Sequence, residues 1–156
     1  MFGVLVFTIN SLTYPHPSFY QIEDFNYLLQ PDGITCGPTS AAMVLNRYGK
    51  DVSIDEVKAE TKTQWFKRQD EAIGMTSPEY IPIAMKHFGL PASLKRGYIN
   101  RLKCYVSQGK PCVVLLRSGE ILWHYVVVVG YDENSVFVAD PGSGHCEQIN
   151  LSLIHI

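Results

Sequence analysis

The stretch Leu29-Gln30-Pro31-Asp32-Gly33-Ile34-Thr35-Cys36-Gly37-Pro38-Thr39-Ser40-Ala41-Ala42-Met43-Val44-Leu45 decides how the chain reads. Ala41, Val44, Leu45 and Tyr48 recur at helical spacing, so a helix is predicted from Cys36 to Tyr48. Pro38 is tolerated in its first turn, and Gly49 stops it. A thiol therefore stands at a helix start, where unpaired N–H groups and a partial positive charge favour an anion. Gln30 lies six residues before Cys36, an interval that lets its side-chain NH2 fold back beside the Cys36 backbone N–H.

Outward from that helix the pattern is helical first. Ser53-Ile54-Asp55-Glu56 fits a capping box opening a second helix that runs to about Thr61. A third is predicted from near Ser77-Pro78-Glu79 to Gly89, with Ile81, Ala84, Met85 and Phe88 as its inward stripe. A shorter helix spans Tyr98 to Gln108, and Thr63 to Thr76 reads as a polar loop whose Trp65 and Phe66 rim a cleft. From Pro111 the period changes. Cys112 to Leu116, Tyr125 to Val129 and Ser135 to Ala139 are short runs rich in β-branched residues, separated by turn residues, and they predict an antiparallel sheet. Helices followed by strands make an α+β fold, with a cleft between an N-terminal helical lobe and a C-terminal sheet.

The sheet half supplies His124, in Trp123-His124-Tyr125-Val126-Val127-Val128-Val129-Gly130, and Asp140, in Val138-Ala139-Asp140-Pro141. Each residue has an ordinary reading on its own: Cys36 as a buried core cysteine, His124 as a satisfied histidine on a strand edge, Asp140 as a turn former, Gln30 as a loop amide. As a set they specify nucleophilic catalysis. The thiolate attacks, a histidine beside it exchanges the proton, and a carboxylate fixes that histidine's tautomer. Gln30 and the Cys36 N–H form the pair of donors an oxyanion needs. The arrangement depends on register. If Asp132-Glu133-Asn134 is a three-residue loop, Tyr131 pairs with Ser135 and Val126 with Asp140, and His124 is the diagonal neighbour of Asp140 on one face. An even-length loop puts the two on opposite faces.

These residues resemble the papain-like cysteine peptidases, and within them the bacteriocin-processing peptidases that cut after a double-glycine leader. The resemblance rests on Leu29 to Met43, Gly109-Lys110-Pro111, Trp123 to Gly130 and Val138 to Pro141, and covers about Tyr27 to Pro141. It implies a papain-like fold, a thiol hydrolase acting on a peptide or protein substrate, Cys36 as nucleophile, His124 as general base and acid, Asp140 as orienter and Gln30 as oxyanion donor. Two other outcomes share these residues: acyl transfer to an amine or thiol, as in transglutaminase-like enzymes, and a silent domain that binds a peptide in the same cleft.

The remaining composition narrows the setting. At 156 residues, 46% hydrophobic and with a formal net charge of −2, the chain fits one domain spanning 1–156, with 1–26 as a lead-in segment. The 13 Lys and Arg residues are scattered, with Lys67-Arg68 and Lys95-Arg96 the two adjacent pairs, so no stripe follows a nucleic-acid backbone. The spacing of Cys36, Cys104, Cys112 and Cys146 matches neither a disulfide framework nor a zinc site; no metal or cofactor is expected, and Cys104, Cys112, Cys146 and His145 are read as structural. Met1 to Ile9 is apolar but lacks a basic leader, a spanning length and a cleavage site, so it reads as a strand or ordered leader, with a cytoplasmic location and no stable membrane insertion.

Overall fold

The computed structural model describes residues 2–7, 14–68, 71–118 and 122–153. Its centre is α1 (Cys36–Arg47), in which every residue from Gly37 to Leu45 is buried. A helix apolar all round belongs inside a protein, and α1 is enclosed by α2 (Ile54–Glu60), α3 (Tyr80–His87) and a sheet. Gly49, at φ +70°, ends it as expected. The capping box of α2 is present: Glu56 N–H donates to Ser53 Oγ at 3.3 Å, and Ser53 N–H donates to Glu56 Oε2 at 2.8 Å. In α3 the stripe Ile81, Ala84 and Met85 is buried, while Phe88 is half-buried at the helix end. The short helix is α4 (Ile99–Val106).

The sheet runs in the order β5 (Ala92–Gly97), β1 (Phe2–Phe7), β6 (Cys112–Ser118), β7 (Leu122–Tyr131), β8 (Ser135–Asp140), β9 (His145–Asn150), with β2 (Tyr20–Gln21) pairing to β7. Strands β6 to β9 are antiparallel, as the β-branched runs predict, and their valines form the sheet side of the core. Within the segment read as a strand or ordered leader, Phe2–Phe7 forms β1, which joins the sheet in parallel with β5 and pairs with β6 at Leu5 and Val114. Two expectations are corrected. Helices do not all precede strands. And Thr63 to Thr76 holds a hairpin, β3 (Gln64–Arg68) and β4 (Glu71–Met75), rather than a loop. Tyr14 to Phe19 wraps the surface at the far end of β7, with the His16 ring edge-on to Tyr131 at 5.5 Å. Among the described residues no helix is long and apolar enough to cross a membrane.

The β7–β8 register is reached by a different route from the expected one. Tyr131 pairs with Val136, not Ser135, so an even number of residues, Asp132 to Ser135, separates the two paired positions across the turn. Asp132 shapes it, its Oδ1 accepting from the N–H groups of Asn134 and Ser135 at 2.8 and 2.6 Å. A bulge between Val128 and Gly130 then inserts one residue into β7 and restores the pairing Val128–Val138 and Val127–Ala139. The next step of that ladder sets Val126 against Asp140, which returns His124 and Asp140 to one face. The bulge is held from outside by β2: Ile22 N–H donates to Val129 O at 2.8 Å, and Gln21 pairs with Gly130. A Cβ at position 130 would lie 2.7 Å from Phe137 Cδ2 and 2.9 Å from Tyr20 O, so this crossing requires glycine. Gly130→Ala is expected to destabilise the fold by about 1–3 kcal/mol through overpacking. Urea denaturation measures it, and an unchanged midpoint would contradict the close packing.

Candidate active site

The loop before α1 is organised by Asp32. Its Oδ1 accepts from Ile34 N–H at 3.0 Å, and Lys58 of α2 reaches its Oδ2 at 3.1 Å. Some burial raises this carboxyl, but the Ile34, Thr35 and Lys58 contacts outweigh it and hold its pKa below the ordinary value. The Asp32 carbonyl accepts from Gln30 Nε2 at 2.6 Å, which fixes the Gln30 side chain and leaves the amide a second hydrogen to give. Thr35, the residue before α1, makes no side-chain cap. Helical bonding in this turn begins with Thr39 N–H to Thr35 O at 2.9 Å, so the Cys36 N–H has no helical acceptor. Gly37 brings the turn against Thr76, where a Cβ would lie 2.8 Å from the Thr76 Oγ1.

Across the cleft, His124 of β7 and Asp140 at the end of β8 are joined by a 2.7 Å bond between Nε2 and Oδ1. The same Oδ1 accepts from Gly142 N–H at 2.7 Å. The turn that follows closes with Gly144 N–H to Asp140 O at 2.8 Å, and it docks on the Gln30 segment through Gln30 N–H to Pro141 O at 2.8 Å. Backbone bonds thus tie the Gln30 loop to the Asp140 turn. Both His124 and Asp140 are partly buried. Burial pulls the His124 pKa down, but hydrogen bonds with Asp140 and with Cys36, and the charges of those two groups, outweigh it and raise it to about 9. For Asp140, burial pushes the carboxyl up, while the His124 and Gly142 bonds and the charges of His124 and His145 hold it below its ordinary value. With Nε2 committed to Asp140, Nδ1 is the nitrogen left for Cys36.

Cys36, His124, Asp140 and Gln30 thus come from α1, β7, β8 and the loop before α1. Several contributors carry no sequence signature of their own. Gly142 acts through its backbone. Tyr125, buried in β7, donates from its hydroxyl to Thr76 O at 2.9 Å, and burial followed by the nearby Cys36 charge raises its pKa. Thr76 is held in turn by Thr63, hydroxyl to hydroxyl at 2.6 Å. Of the residues expected to rim the cleft, the side chain of Phe66 lies outside the described ones, and Trp65 is exposed on β3. Met75 and Trp123 border the pocket at Cys36 instead. His145 lies in β9 beside Asp140. Among the described residues, no group of three His, Cys, Asp or Glu side chains is placed to hold a metal ion.

Residues 22–152 match the model of the Peptidase_C39 like family. Two solved structures share the fold. The peptidase domain of Streptococcus ComA, a bifunctional ABC transporter involved in quorum sensing, aligns with a TM-score of 0.60 at 22% identity, covering 83% of this chain and 89% of that one. A double-glycine-motif protease from an AMS/PCAT transporter, in complex with its leader peptide, aligns at 0.58 and 22% identity, covering 85% and 86%. No curated protein matches the sequence.

The pKa shifts fix a pH dependence. The stability His124 contributes is fully present below its ordinary 6.5 and is lost as pH rises through about 9. Asp140 runs the other way, contributing above its ordinary 3.8 and losing that as pH falls through its lowered folded value. An NMR titration of the His124 ring is expected to show a midpoint near 9 in the unmodified protein and a lower one in Asp140→Ala. A midpoint near 6.5 in both would contradict the pairing.

Proposed function

Because this chain belongs to the peptidase C39-like family, matched over residues 22–152, we propose that it is a cysteine peptidase that hydrolyses a peptide or isopeptide bond through an acyl-enzyme on Cys36. The observation that carries the reading is the His124–Asp140 bond at 2.7 Å on neighbouring strands, with the other ring nitrogen of His124 left for a thiol at the start of a buried helix. The substrate is a peptide or protein, a reading supported by the leader peptide bound to one structural neighbour. The activity belongs to one domain spanning 1–156, with 1–26 as its lead-in.

In this scheme the thiol proton of Cys36 is held on the His124 ring, the thiolate attacks the substrate carbonyl carbon to form a C–S bond, and the carbonyl electrons move to oxygen. That oxygen is received by the Cys36 N–H and the free hydrogen of the Gln30 amide. Collapse re-forms the carbonyl and breaks the C–N bond, and the His124 ring gives its proton to the departing amine. Water then attacks the thioester as His124 takes its proton; the second collapse breaks the C–S bond, releases the product as its carboxylic acid and leaves the Cys36 thiolate beside the protonated His124 ring, as at the start. Asp140 keeps one ring tautomer throughout and stabilises the charged ring. The raised pKa of His124 keeps that ring protonated at neutral pH, which suits an acid needed for the first step.

Incubating the full chain with a mixed peptide library in ¹⁸O-water tests the reaction. New C-termini carrying one ¹⁸O are expected, absent with Cys36→Ala and formed about 10²- to 10³-fold more slowly with Gln30→Ala. Unlabelled products, or equal cleavage by Cys36→Ala, would contradict the proposal.

A further inference from the structure

We infer that the pocket adjoining Cys36 receives one branched aliphatic side chain, Leu, Ile or Val, from a substrate residue flanking the scissile bond. This rests on the peptidase reading and adds a substrate class to it. The pocket has a volume of about 120 Å³, with Cys36 on its wall and Pro78, Leu115 and Tyr125 as further sides, and with Met75 and Trp123 at its mouth. Trp123 and Tyr125 flank His124 in β7, so an occupant sits between the nucleophile and the strand that carries the base.

Three features select the occupant. The first is size: an apolar cavity of about 150 Å³ takes up a benzene molecule, so this smaller space suits a branched aliphatic group better than a phenyl ring. The second is polarity. Among the described residues that line the pocket none is charged, and the Tyr125 hydroxyl is already committed to Thr76 O at 2.9 Å, so a charged side chain entering it would lose its water without a partner among them. The third is the mouth, where Trp123 is 55% and Met75 46% exposed. Two large apolar side chains that line the pocket with Cys36 are thus half in solvent, and an aliphatic group bound there covers apolar surface of both.

The pocket is tested without knowing the substrate by alkylating the full-length protein with chloroacetamides bearing N-isobutyl, N-benzyl or N-(2-aminoethyl) groups. In each case the Cys36 sulfur displaces chloride and forms a C–S bond, and peptide mass mapping reports the rate at Cys36 and, as a reference in the same chain, at Cys146. Each rate is divided by that of iodoacetamide at the same cysteine. At Cys36 the isobutyl reagent is expected to exceed both others by about tenfold, with no such order at Cys146. Leu115→Ala, which enlarges the pocket, is expected to shift the benzyl-to-isobutyl ratio toward benzyl. A flat series at a Cys36 that still reacts readily with iodoacetamide would overturn the pocket assignment and leave the peptidase reading standing. A Cys36 inert to iodoacetamide would remove the peptidase reading, and this inference with it.

Discussion

One extra residue in β7 governs which side chains of the sheet meet. Side chains alternate faces with a period of two, so a single-residue shift between β7 and β8 moves His124 away from Asp140. The even-length turn at Asp132–Ser135 imposes that shift, and the bulge between Val128 and Gly130 cancels it. The bulge is no local accident of the hairpin. It is gripped by β2 through Ile22, and Gly130 is the residue that fits between Phe137 and Tyr20. The segment before the core helix therefore does structural duty for a bond formed at the opposite end of the strand.

The same economy appears around α1. A helix buried on all sides fixes its own N-terminus rigidly, and the uncapped first turn of α1 is where Cys36 stands. Asp32 shapes the loop leading into it and holds the Gln30 amide, while the turn after Asp140 clamps the Gln30 backbone. Gln30 and Asp140 are thus connected to each other as well as to the cleft. Opposite them, Thr76 meets Gly37 on one side and Tyr125 on the other, so the β4–α3 connection is seated against both the helix that begins at Cys36 and the strand that carries His124. The four candidate groups come from α1, β7, β8 and the loop before α1, yet each is held by backbone hydrogen bonds or close packing rather than by a flexible side chain alone.

Much of this was legible in the sequence where the signal is local. The Ser53 capping box, the Gly49 stop and the apolar period of α1 each specify their element within a few residues. The β-branched runs of β6 to β8 specify theirs. The candidate site was legible for a related reason: thiol, imidazole, carboxylate and amide are recognised by residue type. What escaped is non-local. Strand β5, with Lys95 and Arg96, and strand β9, with Glu147 and Gln148, carry no clean alternation because the partner strand, not the pattern, makes them strands. The β3–β4 hairpin was hidden in the same way. The bulge offset a turn length that the sequence alone gave no means to correct. Gly142 and Thr76 contribute through a backbone N–H and a backbone carbonyl, which no residue type announces.

The central claim is that His124, oriented by Asp140, activates the Cys36 sulfur. The most direct measurement is the iodoacetamide alkylation rate of Cys36 across about pH 5 to 9, mapped by mass against the other three cysteines and compared with His124→Ala. The account predicts that Cys36 reacts fastest of the four at the acidic end of that range, and that His124→Ala removes this advantage. A Cys36 that reacts no faster than Cys104 and Cys146, or whose rate His124→Ala leaves unchanged, would contradict it.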